Sequence, residues 1–201
     1  EAVRANLAAT RQPGQPQRIV INSCAVTAEA VRQSAAAARR ADRENPAAQV
    51  IVTGCAAQIE PDRFLSMKSV DRVLGNYAKL DHRSYNITAP QHIIAPLTAL
   101  AKTAPQLIDG FDGHARAFLE VQNGCDHSCT FCTIPQGRGP ARSISIDHVI
   151  EAAERLLENG HREIVLTGVD VTSWGQDIEG TPRLGDLCAA GNTAEVPLGI
   201  G

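Results

Sequence analysis

The chain has 201 residues, 43% of them hydrophobic and 20% charged, which is ordinary for soluble proteins and sufficient for one large domain or two small ones. A formal net charge of −3 excludes a sequence-wide attraction to nucleic acid or anionic membranes, and aromatic residues at 3% leave few candidates for a base-stacking surface. No stretch approaches the roughly 18 consecutive apolar residues of a membrane span, and the opening EAVRANLAATRQPGQPQ lacks the apolar heart of a secretory signal, so the sequence predicts a cytoplasmic protein with no membrane partner.

In chain order, RIVINSC (18–24) is a short β-branched apolar run, and QVIVTGC (49–55) repeats its design; both read as buried strands. Between them Thr27 caps a helix through AEAVRQSAAAARRADREN, whose alanines favour helix and whose end is marked by Asn45-Pro46. Strand, helix, strand implies a right-handed crossover and a parallel sheet. Pro61 starts a second helix near PDRFLSM, and VDRVLGN supplies a third strand ending at Gly75-Asn76. Ligands gather at the carboxyl ends of strands in such sheets, and Cys24 and Cys55 both sit where their strands end, facing one rim.

From about 79 to 113 the periodicity weakens and Pro90, Pro96 and Pro105 interrupt the chain, as in a linker. ARAFLEVQNG then reads as a strand running straight into a cysteine loop. Asp147 caps a helix through HVIEAAERLLEN, with Val149, Ile150, Ala153, Leu156 and Leu157 on one face and Gly160 as its stop. REIVLTG follows as another buried strand. Strand, loop, helix, strand is the opening of a β/α barrel, in which reactive groups occupy the loops after the strands. The domains predicted are 1–80, a linker at 81–113, the first part of a barrel at 114–187 and a tail at 188–201. The tail CAAGNTAEVPLGIG shows no helical or strand period, two strands cannot close a barrel, and residue 1 is not methionine. The chain therefore reads as the N-terminal portion of a longer protein.

Six cysteines without an export signal point to metal ligands or reactive thiols more than to disulfides. Cys125-x-x-x-Cys129-x-x-Cys132 offers three thiolates from one short loop. On a four-iron cubane, three thiolates leave one iron without a protein ligand. A structural zinc would need a fourth ligand, which His127 or His114 would have to supply. Buried, unligated cysteines fit the polar Asn-Gly-Asp-His-Ser surroundings poorly. For Cys24 and Cys55 the residues by themselves leave structural and ligand roles equally open.

VQNGCDHSCTFCTIPQGRGPARS, followed by EIVLTGVDVTSWG, resembles the radical-SAM methylthiotransferase family. The GVD-x-TS-x-G run is most similar to the branch acting on threonylcarbamoyladenosine beside the tRNA anticodon. INSCAVTAEAVRQS, VTGCAAQ and VLGN resemble the N-terminal domain of that family. The resemblance implies an α/β fold: a small N-terminal parallel α/β sheet domain followed by the start of a radical-SAM β/α (partial TIM-like) barrel.

For the site, the resemblance implies that Cys125, Cys129 and Cys132 hold a 4Fe-4S cluster whose open iron chelates S-adenosyl-L-methionine. One electron then releases a 5′-deoxyadenosyl radical. It places Phe131 beside the adenine and Gly168 and Asp170 near the methionine part, although a Gly-x-Asp after a strand also suits a plain turn. Arg138 and Arg142 are weaker candidates for substrate contacts, equally compatible with solvated surface positions. Gly137 and Gly139 read as loop glycines that permit a tight turn.

The family further implies a second 4Fe-4S cluster that handles sulfur. Cys24 and Cys55 match two of its three ligands, while no cysteine precedes Cys24, so the expectation is two clusters in the complete enzyme and at least one here. Cys188 matches no ligand. Implied partners are the tRNA anticodon loop and an electron donor such as flavodoxin or ferredoxin, with a methylthio group added to an adenine carbon. Isopentenyladenosine in tRNA or a ribosomal-protein aspartate is the alternative substrate. A metal-stabilised RNA-binding module without catalysis is the alternative of another class.

Overall fold

The computed structural model describes residues 14–86, 88–97 and 115–200, together with Val3, Leu7 and Ala8. It divides into two compact units, Glu1–Ala101 with His127–Gly139, and Lys102–Asp126 with Pro140–Gly201.

In the first unit β1 (Arg18–Ser23), β2 (Gln49–Gly54), β3 (Arg72–Leu74) and β4 (His92–Ile93) pair in that order, all parallel. The crossover from β1 to β2 is α1 (Ala28–Glu44). Thr27 caps it by accepting from the Ala30 N–H at 3.1 Å, and the Asn45 N–H returns to the Ala41 carbonyl. Helical spacing puts Val31, Ala35 and Ala38 on one face, where they pack with Val50, Val52, Phe64 and Val73. On the other side of the sheet Ile51, Leu74, Ala78 and Tyr85 form a second cluster with Val3 and Leu7 against it. Two short helices, α2 (Cys55–Ile59) and α3 (Pro61–Leu65), follow β2, the latter opened by proline. A third short helix, α4 (Ile134–Arg138), lies in the segment 127–139 that belongs to this unit.

The stretch beginning at 81 contributes order of its own to this sheet. Asp81 accepts from the Arg83 N–H to open a 3-10 turn over His82–Tyr85, and β4 extends the sheet beyond β3. Buried Arg72 donates to the carbonyls of Ser84, Asn86 and Ala89 and so gathers a segment that has no apolar period. The rest of that stretch, 98–114, lies outside the described residues, and His114 with it.

In the second unit the strand order is β6 (Arg142–Ser143), β5 (Arg116–Asn123), β7 (Glu163–Gly168) and β8 (Leu198–Ile200). β5, β7 and β8 are parallel, and β6 is antiparallel to β5. Alternation along β5 buries Ala117, Leu119 and Val121 beneath α5 (Ile146–Glu158), which supplies Val149, Ala152, Ala153 and Leu156 to the same core. The unit is thus two successive strand–helix–strand steps, the beginning of a barrel.

Two expectations are corrected here. Helix α5 starts after Ser145 and not at Asp147, which sits within its first turn, where a carboxylate suits the positive end of the helix. The tail is also regular. Helix α6 (Leu184–Thr193) and β8 occupy it, with the Arg183 N–H donating to Asp186 Oδ2 at 2.7 Å to start the helix. Leu187 is fully buried, and Gly191 leaves the space that the Leu198 side chain fills, since a Cβ there would lie 2.4 Å from Leu198 Cδ1. Three parallel barrel strands are therefore present among the described residues, one more than the sequence suggests.

Candidate functional site

The rim of the first unit is built by residues at the carboxyl ends of its strands. Ser23 is buried, donates to the Thr53 carbonyl at 2.6 Å and accepts from the Ala57 N–H at 3.0 Å, joining the end of β1 to the end of β2 and to α2. Gly54 adopts φ +98°, and a Cβ there would stand 2.2 Å from the Ser23 carbonyl oxygen, so only glycine lets the two strand ends approach so closely. Cys24 and Cys55 follow directly on these two fixed points. Cys24 is exposed, with the Val26 N–H at 3.5 Å from its Sγ, and Cys55 is half-buried at the start of α2.

Segment 127–139 completes this unit. The Cys132 N–H donates to the Cys129 carbonyl at 3.0 Å, forming a tight turn around the last two cysteines of the loop. The Thr133 hydroxyl donates to the Ala25 carbonyl at 3.3 Å, next to Cys24. Further on, α4 packs on α2: Gly137 is buried, and a Cβ there would come within 2.9 Å of Cys55 Cβ. Phe131 projects its ring into solvent with 89% of its surface exposed, an apolar face covered by nothing among the described residues.

The rim of the second unit is organised by Gln122, which is 1% exposed. Its amide donates to the Gly124 carbonyl at 2.9 Å, while its Oε1 accepts from the Asp170 N–H at 2.8 Å, so one side chain fixes the chain leaving β5 and the chain leaving β7. Cys125, buried, comes directly after Gly124. Gly168 faces Gln122, and a Cβ on it would lie 3.0 Å from both Cβ and Oε1 of Gln122. The Asp170 carboxylate accepts from the Thr172 hydroxyl at 2.8 Å and has an oxygen within 4.8 Å of Cys125 Sγ. Arg142 is half-buried on β6 and donates to the Pro140 carbonyl at 2.7 Å. Burial lowers its pKa, and the neighbouring carboxylates Glu120 and Asp177 act in the opposite direction, keeping it a cation. Arg138 closes α4 in the first unit.

The residues singled out in the sequence thus fall into two sets. Cys24, Cys55, Cys129, Cys132, Phe131 and Arg138 belong to the first unit, and Cys125, Gly168, Asp170 and Arg142 to the second. Three polar residues not picked out from the sequence, Ser23, Asn76 and Gln122, hold the rims together. Each is a polar residue at or just beyond the end of an apolar strand, and its burial shows only in the folded chain.

The donor chemistry fits an iron–sulfur cluster. All six cysteines are free of disulfides, and three lie in one loop, with sulfur offered on both buried and exposed surfaces. No helix among the described residues is long and apolar enough to cross a membrane.

Comparison with known proteins assigns residues 2–75 to the family described as "Uncharacterized protein family UPF0004" and residues 119–190 to the "Radical SAM superfamily". The chain is similar to "Threonylcarbamoyladenosine tRNA methylthiotransferase MtaB" of Rickettsia prowazekii, 42% identical over 93% of this chain and 44% of that protein. It is also similar to "Ribosomal protein uS12 methylthiotransferase RimO" of Elusimicrobium minutum, 34% identical over 83% of this chain and 39% of that protein. A third relative is "tRNA-2-methylthio-N(6)-dimethylallyladenosine synthase" of a Roseiflexus species, 31% identical over 91% of this chain and 38% of that protein. The chain spans less than half the length of each of these relatives.

Proposed function

Since the chain belongs to the radical-SAM methylthiotransferase family, we propose that the protein forms a carbon–sulfur bond on threonylcarbamoyladenosine beside the tRNA anticodon. The observation that carries the chemistry is the Cys125-x-x-x-Cys129-x-x-Cys132 loop at the carboxyl end of β5. The choice of substrate is supported by the 42% identity to the Rickettsia enzyme, against 34% and 31% to the relatives named for a ribosomal protein and for dimethylallyladenosine.

Cys125, Cys129 and Cys132 would hold a four-iron cluster, which supplies, when bound, the electron that cleaves S-adenosylmethionine. The chain's own residues do the rest of the work by holding and orienting. Gln122 fixes the backbone on which Cys125 stands. The exposed ring of Phe131 offers a flat apolar contact for the adenine. The Asp170 carboxylate, within 4.8 Å of Cys125 Sγ, is suited to accept hydrogen bonds from the amino group of the methionine part, with Gly168 making room for the Gln122 side chain beside it. Arg142 and Arg138 are cationic groups for a carboxylate or phosphate of the substrate. Cys24 and Cys55 would hold a second 4Fe-4S cluster as two of its ligands, and that cluster would supply the sulfur. S-adenosylmethionine would supply both the methyl group and the radical. The partners are the tRNA anticodon loop and a flavodoxin- or ferredoxin-type electron donor, in the cytoplasm.

Anaerobic reconstitution with iron and sulfide tests this reading. The expected result is dithionite-dependent formation of 5′-deoxyadenosine from S-adenosylmethionine, abolished in Cys129→Ala. Cleavage retained in that variant, or stoichiometric zinc in place of iron, overturns the assignment and leaves a non-catalytic metal-stabilised module. For the substrate, nucleosides from tRNA treated with the complete protein should show the methylthio group on threonylcarbamoyladenosine; its appearance on isopentenyladenosine or on a ribosomal-protein aspartate would redirect the reading.

A further inference from the structure

Asn76 lies at the carboxyl end of β3, two residues beyond Leu74, and is 6% exposed. Its backbone is fixed by Gln58, whose Oε1 accepts from the Asn76 N–H at 3.0 Å while its amide donates to the Ala95 carbonyl at 3.2 Å. The side-chain amide Nδ2 stands 2.6 Å from the Gly137 carbonyl oxygen and 3.5 Å from Cys55 Sγ. A carbonyl oxygen only accepts, so the bond to Gly137 settles which end of the amide carries the hydrogens. Both donors therefore point toward the junction of α2 and α4. The Oδ1 atom is buried without a partner among the described residues. An unsatisfied buried acceptor is costly, so the amide is oriented by the two groups it donates to and not by its own oxygen.

We propose that Asn76 is a positioning residue, whose side-chain amide joins the Cys55 sulfur to the backbone of the segment carrying Cys129 and Cys132. The two backbones are close at this point: a Cβ at position 137 would lie 2.9 Å from Cys55 Cβ and 3.2 Å from Cys55 Sγ. Glycine at 137 lets the two backbones approach closely, and Asn76 locks them there. This gives Gly137 a steric role and Asn76 a polar one in the same contact. The tether has an electronic consequence that rests on Cys55 being a cluster ligand: a hydrogen bond donated to a ligating sulfur stabilises the more negative, reduced cluster and raises its reduction potential.

The test uses Asn76→Leu, which keeps the approximate size and removes the donors, and Asn76→Ala, which removes the side chain in case the branched apolar group prevents folding. In hydrogen exchange on the metal-free chain, amides of 133–139 should exchange about tenfold faster in either variant, the loss expected of one buried hydrogen bond, while amides of α1 keep their protection. Unchanged exchange in 133–139 overturns the tether. After anaerobic reconstitution, the spectroscopic component that disappears in Cys55→Ala should move to lower reduction potential in the uncharged Asn76→Leu, while the component that disappears in Cys129→Ala keeps its own. A Cys55-dependent component with unaltered potential overturns the bond to sulfur. The absence of any Cys55-dependent component overturns the cluster reading of Cys55 and the electronic consequence with it, and the exchange result still decides the tether.

Discussion

In the first unit the carboxyl ends of the parallel strands are tied by several side chains, Ser23 between β1, β2 and α2, and Gln58 and Asn76 between β3 and the helices beside it; in the second, Gln122 by itself bonds both the chain leaving β5 and the chain leaving β7, while Asp126, Ser143 and Asp177 bond farther along the loops. Both rims solve the same problem. Two cysteines proposed as ligands each follow a buried polar residue that anchors the chain, Ser23 before Cys24 and Gln122 before Cys125. The difference lies in how the load is shared, and it predicts how each rim responds to a single change.

The largest effect is expected where backbone meets backbone. Gly54→Ala would force a Cβ to within 2.2 Å of the Ser23 carbonyl at φ +98°. It should cost about 4 kcal/mol, combining overpacking with left-handed strain, and show as lost hydrogen-exchange protection along β2. A protected β2 in that variant would mean that the strand ends are not held as closely as described. Next comes Gln122→Leu, which leaves the Gly124 carbonyl and the Asp170 N–H without their partner. A loss of about 3 kcal/mol is expected, read from urea unfolding followed by Trp174, the single tryptophan, which is buried in the core of the second unit. Ser23→Ala should be milder, about 2 kcal/mol, because Gly54 and the β1–β2 ladder continue to hold the strand ends; exchange at the Ala57 amide reports it. A Ser23→Ala cost equal to or above that of Gln122→Leu would break the contrast between a shared and a concentrated anchor.

Much of the fold was legible because it rests on local patterns. The two β-branched runs, the alanine-rich helix with Thr27 and Asn45 at its ends, the face of α5 and the run into the cysteine loop all follow from residues a few positions apart. Helix α6 was not legible. Its segment LGDLCAAGNT mixes two glycines and a threonine with few large apolar residues, and Gly191 makes sense only once Leu198 is packed against it. β4 and β8, with two and three residues, are too short to show any period and form because a longer strand is already in place. The start of α5 was misread because Asp147 and Ser145 are both good caps by type; in the structure the Ser145 hydroxyl pairs with His148 Nδ1 at 2.7 Å and the helix begins at Ile146.

The site divides in the same manner. The loop cysteines proposed as ligands are visible as a spacing, whereas Asn76 and Gln122 act across 61 and 48 positions of chain and carry no local signature. Polar residues that end strands are commonly exposed, so their burial becomes apparent only in three dimensions.

The central claim is that Cys125, Cys129 and Cys132 bind a cubane with one iron left for S-adenosylmethionine. Electron paramagnetic resonance of the dithionite-reduced, reconstituted chain, with and without S-adenosylmethionine, tests it directly. The account predicts a cluster signal that changes shape on adding S-adenosylmethionine and is missing from Cys132→Ala. A signal indifferent to S-adenosylmethionine, or the same response in Cys132→Ala, would contradict it.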